Sequence, residues 1–288
     1  MWPARAMMEF GLLGPLSVRC GAHAVSVRPG NQRSVLAALL LDANQVVAAG
    51  ELTEVLWGAD PPPSATVTMR NYVKRLRQAL GDEGRDRITT QPRGYLIRVG
   101  PDELDLARFE TLVRSAQSEA RGHAWDRAAA RARAALMLWR GEPLADIQSE
   151  ALTLREAVPR LGELRLQALE TRIDAELHLG GHIEVIAELQ CLAGAFPLRE
   201  QLHALLMIAF YRSGRRSEAL RAYQHARKVL VEELGTEPAS GLQRLHRQIL
   251  TGDPALAAPE HAWPCRVSRA SQRSWRGSHR SATRRRDG

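Results

Sequence analysis

Gly180 and Gly214 stand 34 residues apart, and Glu184 with Glu218 and Leu189 with Tyr223 keep the same interval. A fixed interval of this length constrains the fold more than any single motif. It is the spacing of stacked helix pairs, each of which buries its apolar face only against its neighbours. Small and large apolar residues such as Ala219, Leu220 and Tyr223 are expected to interlock between successive helices. From Asp102 onward the chain reads as almost wholly helical. "LDLARFETLVRSAQSEAR" and "AWDRAAARARAALMLW" form one pair, and "ALTLREAVPRLGELRLQALETRIDAELHLG" is a long helical region. "GGHIEVIAELQCLAGAFP", "REQLHALLMIAFYRSG" and "RRSEALRAYQHARKVLVEELG" follow, then a last helix from about Pro238 to Leu250.

The first hundred residues have a different rhythm. "EFGLLGPLSVRC" and "HAVSVRP" read as two short strands, and "NQRSVLAALLLDA" as a helix with Val35, Leu36, Leu39 and Leu40 at helical spacing. "AAGELTEVLWG" is a second helix that Gly58 ends. Pro61, Pro62 and Pro63 then force a break, with Ser64 available to cap the next helix. That third helix, in "TVTMRNYVKRLRQALG", carries Met69, Tyr72, Val73, Leu76 and Leu80 on one stripe. Its opposite face carries Arg70, Asn71, Lys74, Arg75, Arg77 and Gln78 with no acid before Asp82. A merely solvated helix mixes the two signs, because opposite charges one turn apart support each other. Downstream, "RITTQPRGYLIRV" alternates about a Pro92-Arg93-Gly94 tip and reads as a β-hairpin.

Charge divides the chain in the same way. Residues 1–100 carry a net +4, residues 101–253 a net −2 and residues 254–288 a net +6. The last segment is rich in Arg and Ser, lacks apolar period and is expected to be disordered. Residues 61–98 hold 8 basic and 3 acidic residues, so the folded positive charge gathers around the third helix, where an acidic partner would bind.

Strands, three helices and a terminal hairpin are the order of a winged helix. From Glu9 to Val99 the chain resembles the OmpR/PhoB-type winged helix, and from Glu9 to about Asp253 it resembles the Streptomyces antibiotic regulatory protein family of transcriptional activators. "FGLLGPLSV", "QRSVLAALLL", "ELTEVLWG", "NYVKRLRQALG", "RGYLIRV", "DELDLARFE", "LWRGEPLADI", "LVEELGTEP" and "LQRLHRQIL" carry the resemblance, in family order. The fold it implies is an α+β winged helix (1–100) followed by an all-α tetratricopeptide-like solenoid that is the bacterial transcriptional activation domain (101–253); the resemblance stops before the Arg-rich tail (254–288), whose composition alone gives the expectation of disorder. It also implies double-stranded DNA bound at direct repeats, a homodimer on that DNA, and recruitment of RNA polymerase holoenzyme at a secondary-metabolite (antibiotic) biosynthetic cluster. Translation is expected to start at Met7 or Met8, and the protein to act in the cytoplasm at the nucleoid. Departures from the family pattern are Val67, where a polar residue is common, and Lys74, where a small polar one is.

Within the winged helix, Asn71 and Lys74 are the base-reading candidates, since an amide or a cation aligned with a base edge discriminates sequence. Val67 shares their direction and suits a thymine methyl, and Thr66 opens the same face. Arg70, Arg75 and Arg77 flank it where phosphates would lie, Gln78 belongs to the same outward DNA-binding face, and Arg93 at the hairpin tip suits a minor groove. A fragment ending near Gly100 is expected to recognise an operator and not to activate transcription.

No catalytic constellation assembles. Cys20, Cys191 and Cys265 have no metal or redox spacing, and no GxxxxGK[ST] loop occurs. His178 and His182 have the interval of a helical metal pair, but Gly180 and Gly181 between them are expected to end the helix. Trp57, Trp125 and Trp139 fall at apolar positions as core residues. No enzyme, cofactor or metal is expected, and no acidic phosphoacceptor domain, apolar run of membrane length (about 18 residues) or signal peptide. The alternative reading is a tetratricopeptide-type adaptor whose winged helix no longer binds DNA.

Overall fold

The computed structural model describes residues 8–81, 84–147 and 151–257. Its element order is that of a winged helix followed by a helical solenoid. "EFGLLGPLSVRC" is not a single strand but a hairpin. β1 (Met8–Gly11) and β2 (Ser17–Cys20) pair antiparallel with Phe10 opposite Val18, and a two-residue β3 (His23–Ala24) completes the sheet. Between them Gly14 adopts φ 148° and Pro15 has no N–H to give to a ladder, so the strand cannot run on.

α1 (Asn31–Leu41) is buried from Val35 to Leu40, which is why its sequence shows an apolar run rather than a stripe. α1 leads into β4 (Val46–Ala48), a strand the sequence reading missed, and then into α2 (Ala49–Trp57), which Gly58 ends at φ 61°. α3 (Ala65–Ala79) begins after the proline break. Ser64 occupies its N-cap position but makes no side-chain capping bond; its carbonyl accepts the Thr68 N–H at 2.9 Å. A short α4 (Gly84–Arg87) leads into the hairpin β5 (Ile88–Gln91) and β6 (Gly94–Ile97). The second sheet has the order β4-β6-β5. A side chain at Gly94 would collide with the Val47 carbonyl oxygen of β4, so the hairpin requires glycine there.

The remainder is helical: α5 (Asp105–Arg121), α6 (Trp125–Leu136), α7 (Leu152–His178), α8 (Ile186–Ala195), α9 (Glu200–Arg212), α10 (Arg216–Leu234) and α11 (Ser240–Thr251). The 34-residue interval marks equivalent helix ends. Gly180 and Gly214 follow α7 and α9 with φ of 90° and 75°, and Leu189 and Tyr223 are both buried. α7 ends at His178, whose ring stacks on Trp125 at 3.7 Å; among the described residues no side-chain cluster has the makings of a metal site. Among them, too, no helix is long and apolar enough to cross a membrane. Residues expected to begin a disordered tail are partly seated: Pro254–Leu256 forms a 3-10 turn, and the Leu256 carbonyl accepts the Arg212 Nε–H at 3.2 Å. The rest of that Arg-rich segment, 258–288, lies outside the described residues.

One apolar core runs from Met8 to Ala168 and a second from Leu166 to Ile249. The first crosses residue 100. Leu12 and Leu13, in the β1–β2 turn, are fully buried against the helical half. Their N–H groups donate to Asp105 at 2.8 and 3.1 Å, and the loop after α6 closes over them, Arg140 N–H reaching Leu13 O at 2.8 Å and Leu144 N–H reaching Gly14 O at 2.9 Å. The "LWRGEPLADI" motif is therefore a joint between the two halves.

Candidate nucleic-acid interface

α3 packs against α1 and α2 through Ala65, Met69, Val73 and Leu76, which are buried, and Leu80 closes its end. Tyr72 stands at the edge of this stripe and is half-buried. Its hydroxyl accepts a 3.2 Å bond from Asn31 Nδ2 at the start of α1, giving the phenol a polar partner where the apolar contact ends. With that stripe fixed, the rotation of α3 is fixed, and the opposite face is presented outward.

Thr66, Val67, Arg70, Asn71, Lys74, Arg75 and Gln78 are all exposed. Val67 has 60% of its surface open on this outward face. Among the described residues Arg70, Lys74 and Arg75 have no ion pair.

Arg77 behaves differently. Half-buried, it donates from Nε to the Ile88 carbonyl at 2.8 Å and from Nη2 to Thr90 Oγ1 at 2.9 Å. A side chain expected at a phosphate thus ties α3 to the first strand of the hairpin. A Cβ at Gly84 would strike the Arg77 carbonyl, so α4 lies directly on the end of α3. The approach opens a polar cleft of about 890 Å³ lined by Lys74, Arg77, Gln78, Arg85, Thr89 and Thr90. Guanidinium, ammonium and hydroxyl donors converging on an open cleft suit phosphate oxygens. Arg85, Thr89 and Thr90 were not among the sequence candidates. Arg85 was signalled by "GRDR" after the helix, whereas Thr89 and Thr90 lay in the strand read as part of the hairpin, where nothing marked them as lining a cleft.

Arg93 is exposed at the hairpin tip, while its carbonyl accepts the Ala49 N–H at 3.0 Å, which anchors the tip to the start of α2. Arg87, by contrast, is turned inward. It pairs with Glu103, with Nη2 to Oε1 at 2.7 Å, and Glu103 also accepts the Gly100 N–H at 2.6 Å. The Arg87 hydrogen bond holds the Glu103 carboxyl below the usual glutamate range against the opposing effect of burial. The two halves are thus joined beside the hairpin as well as at the β1–β2 turn.

Comparison with known proteins agrees with this arrangement. The family profile described as Transcriptional regulatory protein, C terminal matches residues 27–97, and that of the Bacterial transcriptional activator domain matches residues 104–250. Regulatory protein AfsR of Streptomyces coelicolor is 44% identical over 87% of this chain, which spans only 25% of that relative. Regulatory protein DnrI of Streptomyces peucetius is 38% identical, over 86% of this chain and 94% of its own length. The solved structure of Mycobacterium tuberculosis EmbR in complex with a low-affinity phosphopeptide superposes with a TM-score of 0.82 at 32% identity, covering 86% of this chain and 66% of that one.

Proposed function

This chain belongs to the Streptomyces antibiotic regulatory protein family of transcriptional regulators, and from that premise we propose that it binds DNA sequence-specifically through α3 and activates transcription through its helical half. The observation that carries the reading is the outward face of α3, exposed along its length, supplied with cations and amides, and free of acids. In a major groove, Asn71 and Lys74 face base edges with Val67 beside them, and Arg70 and Arg75 lie toward the phosphates. Lys74 and Arg85 line the cleft against the hairpin and receive the neighbouring backbone, Arg77 keeps the cleft in shape through its bonds to Ile88 and Thr90, and Arg93 reaches beyond it. The targets are direct repeats near promoters of a secondary-metabolite cluster, each occupied by one protomer of a pair. The helical half recruits RNA polymerase holoenzyme. An adaptor that had lost DNA binding would have no reason to keep this face free of acids.

Electrophoretic titration of the full chain tests the assignment. Asn71→Ala and Lys74→Ala should weaken binding to a selected operator more than to random duplex, because base contacts carry sequence information and phosphate contacts do not. Arg75→Ala should weaken both alike and reduce the slope of log K against log salt by about 0.9. Equal losses on both DNAs for all three variants would remove base reading from α3.

A further inference from the structure

A second recess lies far along the chain from the DNA-facing helix, between α8, α9 and α10. It is a trough of about 390 Å³ whose floor is apolar, with Leu206 and Phe210 of α9 beneath it. Three features of its walls set it apart from an ordinary seam between helices.

The first is Gly194, near the end of α8. Glycine inside a helix is unfavourable relative to alanine, and packing normally explains its presence. Here packing does not: a Cβ built on Gly194 meets nothing within 4 Å, and the residue borders the trough. The missing side chain leaves the recess open. The second is His203, only 1% exposed. Its Nε2 lies 2.9 Å from the Pro197 carbonyl and donates to it, so Nδ1 remains as an acceptor, unbonded among the described residues, in the wall of the trough. Burial, aided by the nearby His225, pushes this imidazole below the ordinary histidine value against the opposing effect of the Pro197 hydrogen bond.

The third is the balance of charge. Glu218 is neutralised by a two-pronged pair with Arg215 at 2.5 Å, and Arg215 in turn lies over the Phe210 ring at 4.7 Å. Arg221 and His225 are both exposed on the rim; Arg221 lies within the field of Glu218 without an ion pair of its own among the described residues, so Arg215 and Arg221 together outweigh the one carboxylate by a single positive charge. The rim therefore offers positive charge and donors over an apolar floor, with one buried acceptor.

We propose that this trough docks an extended acidic segment of a partner protein, with a carboxylate on Arg221, a side chain seated over Phe210 in the space left by Gly194, and an N–H or O–H of the segment on His203 Nδ1. A continuous segment suits the site better than an enclosed small ligand because Gln190, Arg221 and His225 leave both rims exposed. The proposal rests on the reading that the helical half contacts a protein, and it adds where and with what chemistry.

The probe is a fluorescein-labelled 12-residue peptide of Asp, Leu and Ser, with a Lys-for-Asp counterpart, titrated by anisotropy into the full chain. The acidic peptide should bind saturably and the basic one should not. Arg221→Glu should weaken binding by about 10-fold or more, as expected for loss of a charge-assisted bond. Gly194→Leu should abolish it by filling the recess, with helical circular dichroism and melting temperature retained or raised. Failure of the acidic peptide to bind the wild-type chain, or equal binding by wild type and both variants, would overturn the proposal. So would a change in sedimentation on Gly194→Leu without peptide binding, which would give the trough to a second copy of the chain. DNA affinity is read on the same samples and should not change. Its absence in the wild type would count against the winged-helix reading and leave the peptide result to stand alone.

Discussion

Arg33 of α1 and Asp146 of the loop after α6 form an ion pair at 2.5 Å, with side chains only 19% and 31% exposed. Asp146 also accepts the Leu16 N–H at 2.7 Å, and Arg33 donates to the Leu16 carbonyl, so one residue of the β1–β2 turn is held on both sides by the pair. α1 packs against α3. The helical half is thereby linked to the element that sets the position of α3. Removing the carboxylate leaves the Arg33 guanidinium with carbonyl acceptors but no counter-ion, and the Leu16 N–H without its acceptor, in a partly dry site. Asp146→Ala should lower stability by about 1–3 kcal/mol, measured by urea denaturation. A loss within about 0.5 kcal/mol, the range of ordinary surface substitutions, would show that the joint contributes little.

A fragment ending at Gly100 should fare worse than the sequence suggests. It would expose Leu12, Leu13 and Phe10, which the full chain buries in a core shared with Phe109, Val113 and Leu154. It would also strip the Leu12 and Leu13 N–H groups of Asp105. We expect it to show weak, uncooperative melting and little operator binding, whereas the full chain unfolds the winged helix together with α5. Circular dichroism melts settle this. A sharp transition in the fragment would mean that the winged helix folds independently after all.

Elements with a strong period were legible in the sequence. Met69, Val73, Leu76 and Leu80 are buried as the stripe in α3 required, and the 34-residue interval returns as matching helix ends at Gly180 and Gly214. What escaped has a physical reason in each case. β4 is three residues, Val46–Ala48, too short to show alternation, and it exists because β6 pairs with it. Arg77 lies where the helical period puts it, but its use depends on β5 arriving alongside, which no local pattern encodes. The joint built from Arg140, Leu144 and Asp146 belongs to an aperiodic loop, so its residues could be recognised as a motif but not given a task.

The two arginines bordering the hairpin cleft should separate by phenotype. Arg77→Ala removes two donors that fix α3 to Ile88 and Thr90, so it should cost about 1–2 kcal/mol of stability and weaken DNA binding by loosening the hairpin. Arg77→Lys should restore little, because one ammonium cannot reproduce a planar fork directed at a carbonyl and a hydroxyl together. Arg85→Ala should leave stability unchanged, since its side chain is exposed and has no ion pair among the described residues, but should weaken operator and random DNA equally. Each variant needs a melt and a salt titration. If Arg77→Ala binds DNA less well with no change in stability, the side chain contacts phosphate, and its bonds to the hairpin are incidental.

Glu103 provides a pH-dependent test of the contact between the halves. Its carboxylate accepts from Arg87 and from the Gly100 N–H, while its own carbonyl accepts the Phe10 N–H at 2.6 Å, so it lies where the hairpin, β1 and α5 meet. The folded state holds this group ionised to lower pH than the unfolded chain does, chiefly through the Arg87 bond. A depressed carboxyl contributes stability that is fully present above the unfolded value of about 4.3 and is lost as pH falls through the folded value. Glu103→Gln should therefore destabilise at pH 7, and the gap between variant and wild type should close as the pH is lowered below about 4, in urea titrations at matched ionic strength. Arg87→Ala should produce the same pattern, because without the guanidinium the carboxyl returns toward its ordinary value. A gap that stays constant from pH 7 to about 3 would mean that Glu103 acts through its shape and hydrogen-bond geometry rather than its charge, since protonation would then cost the wild type nothing.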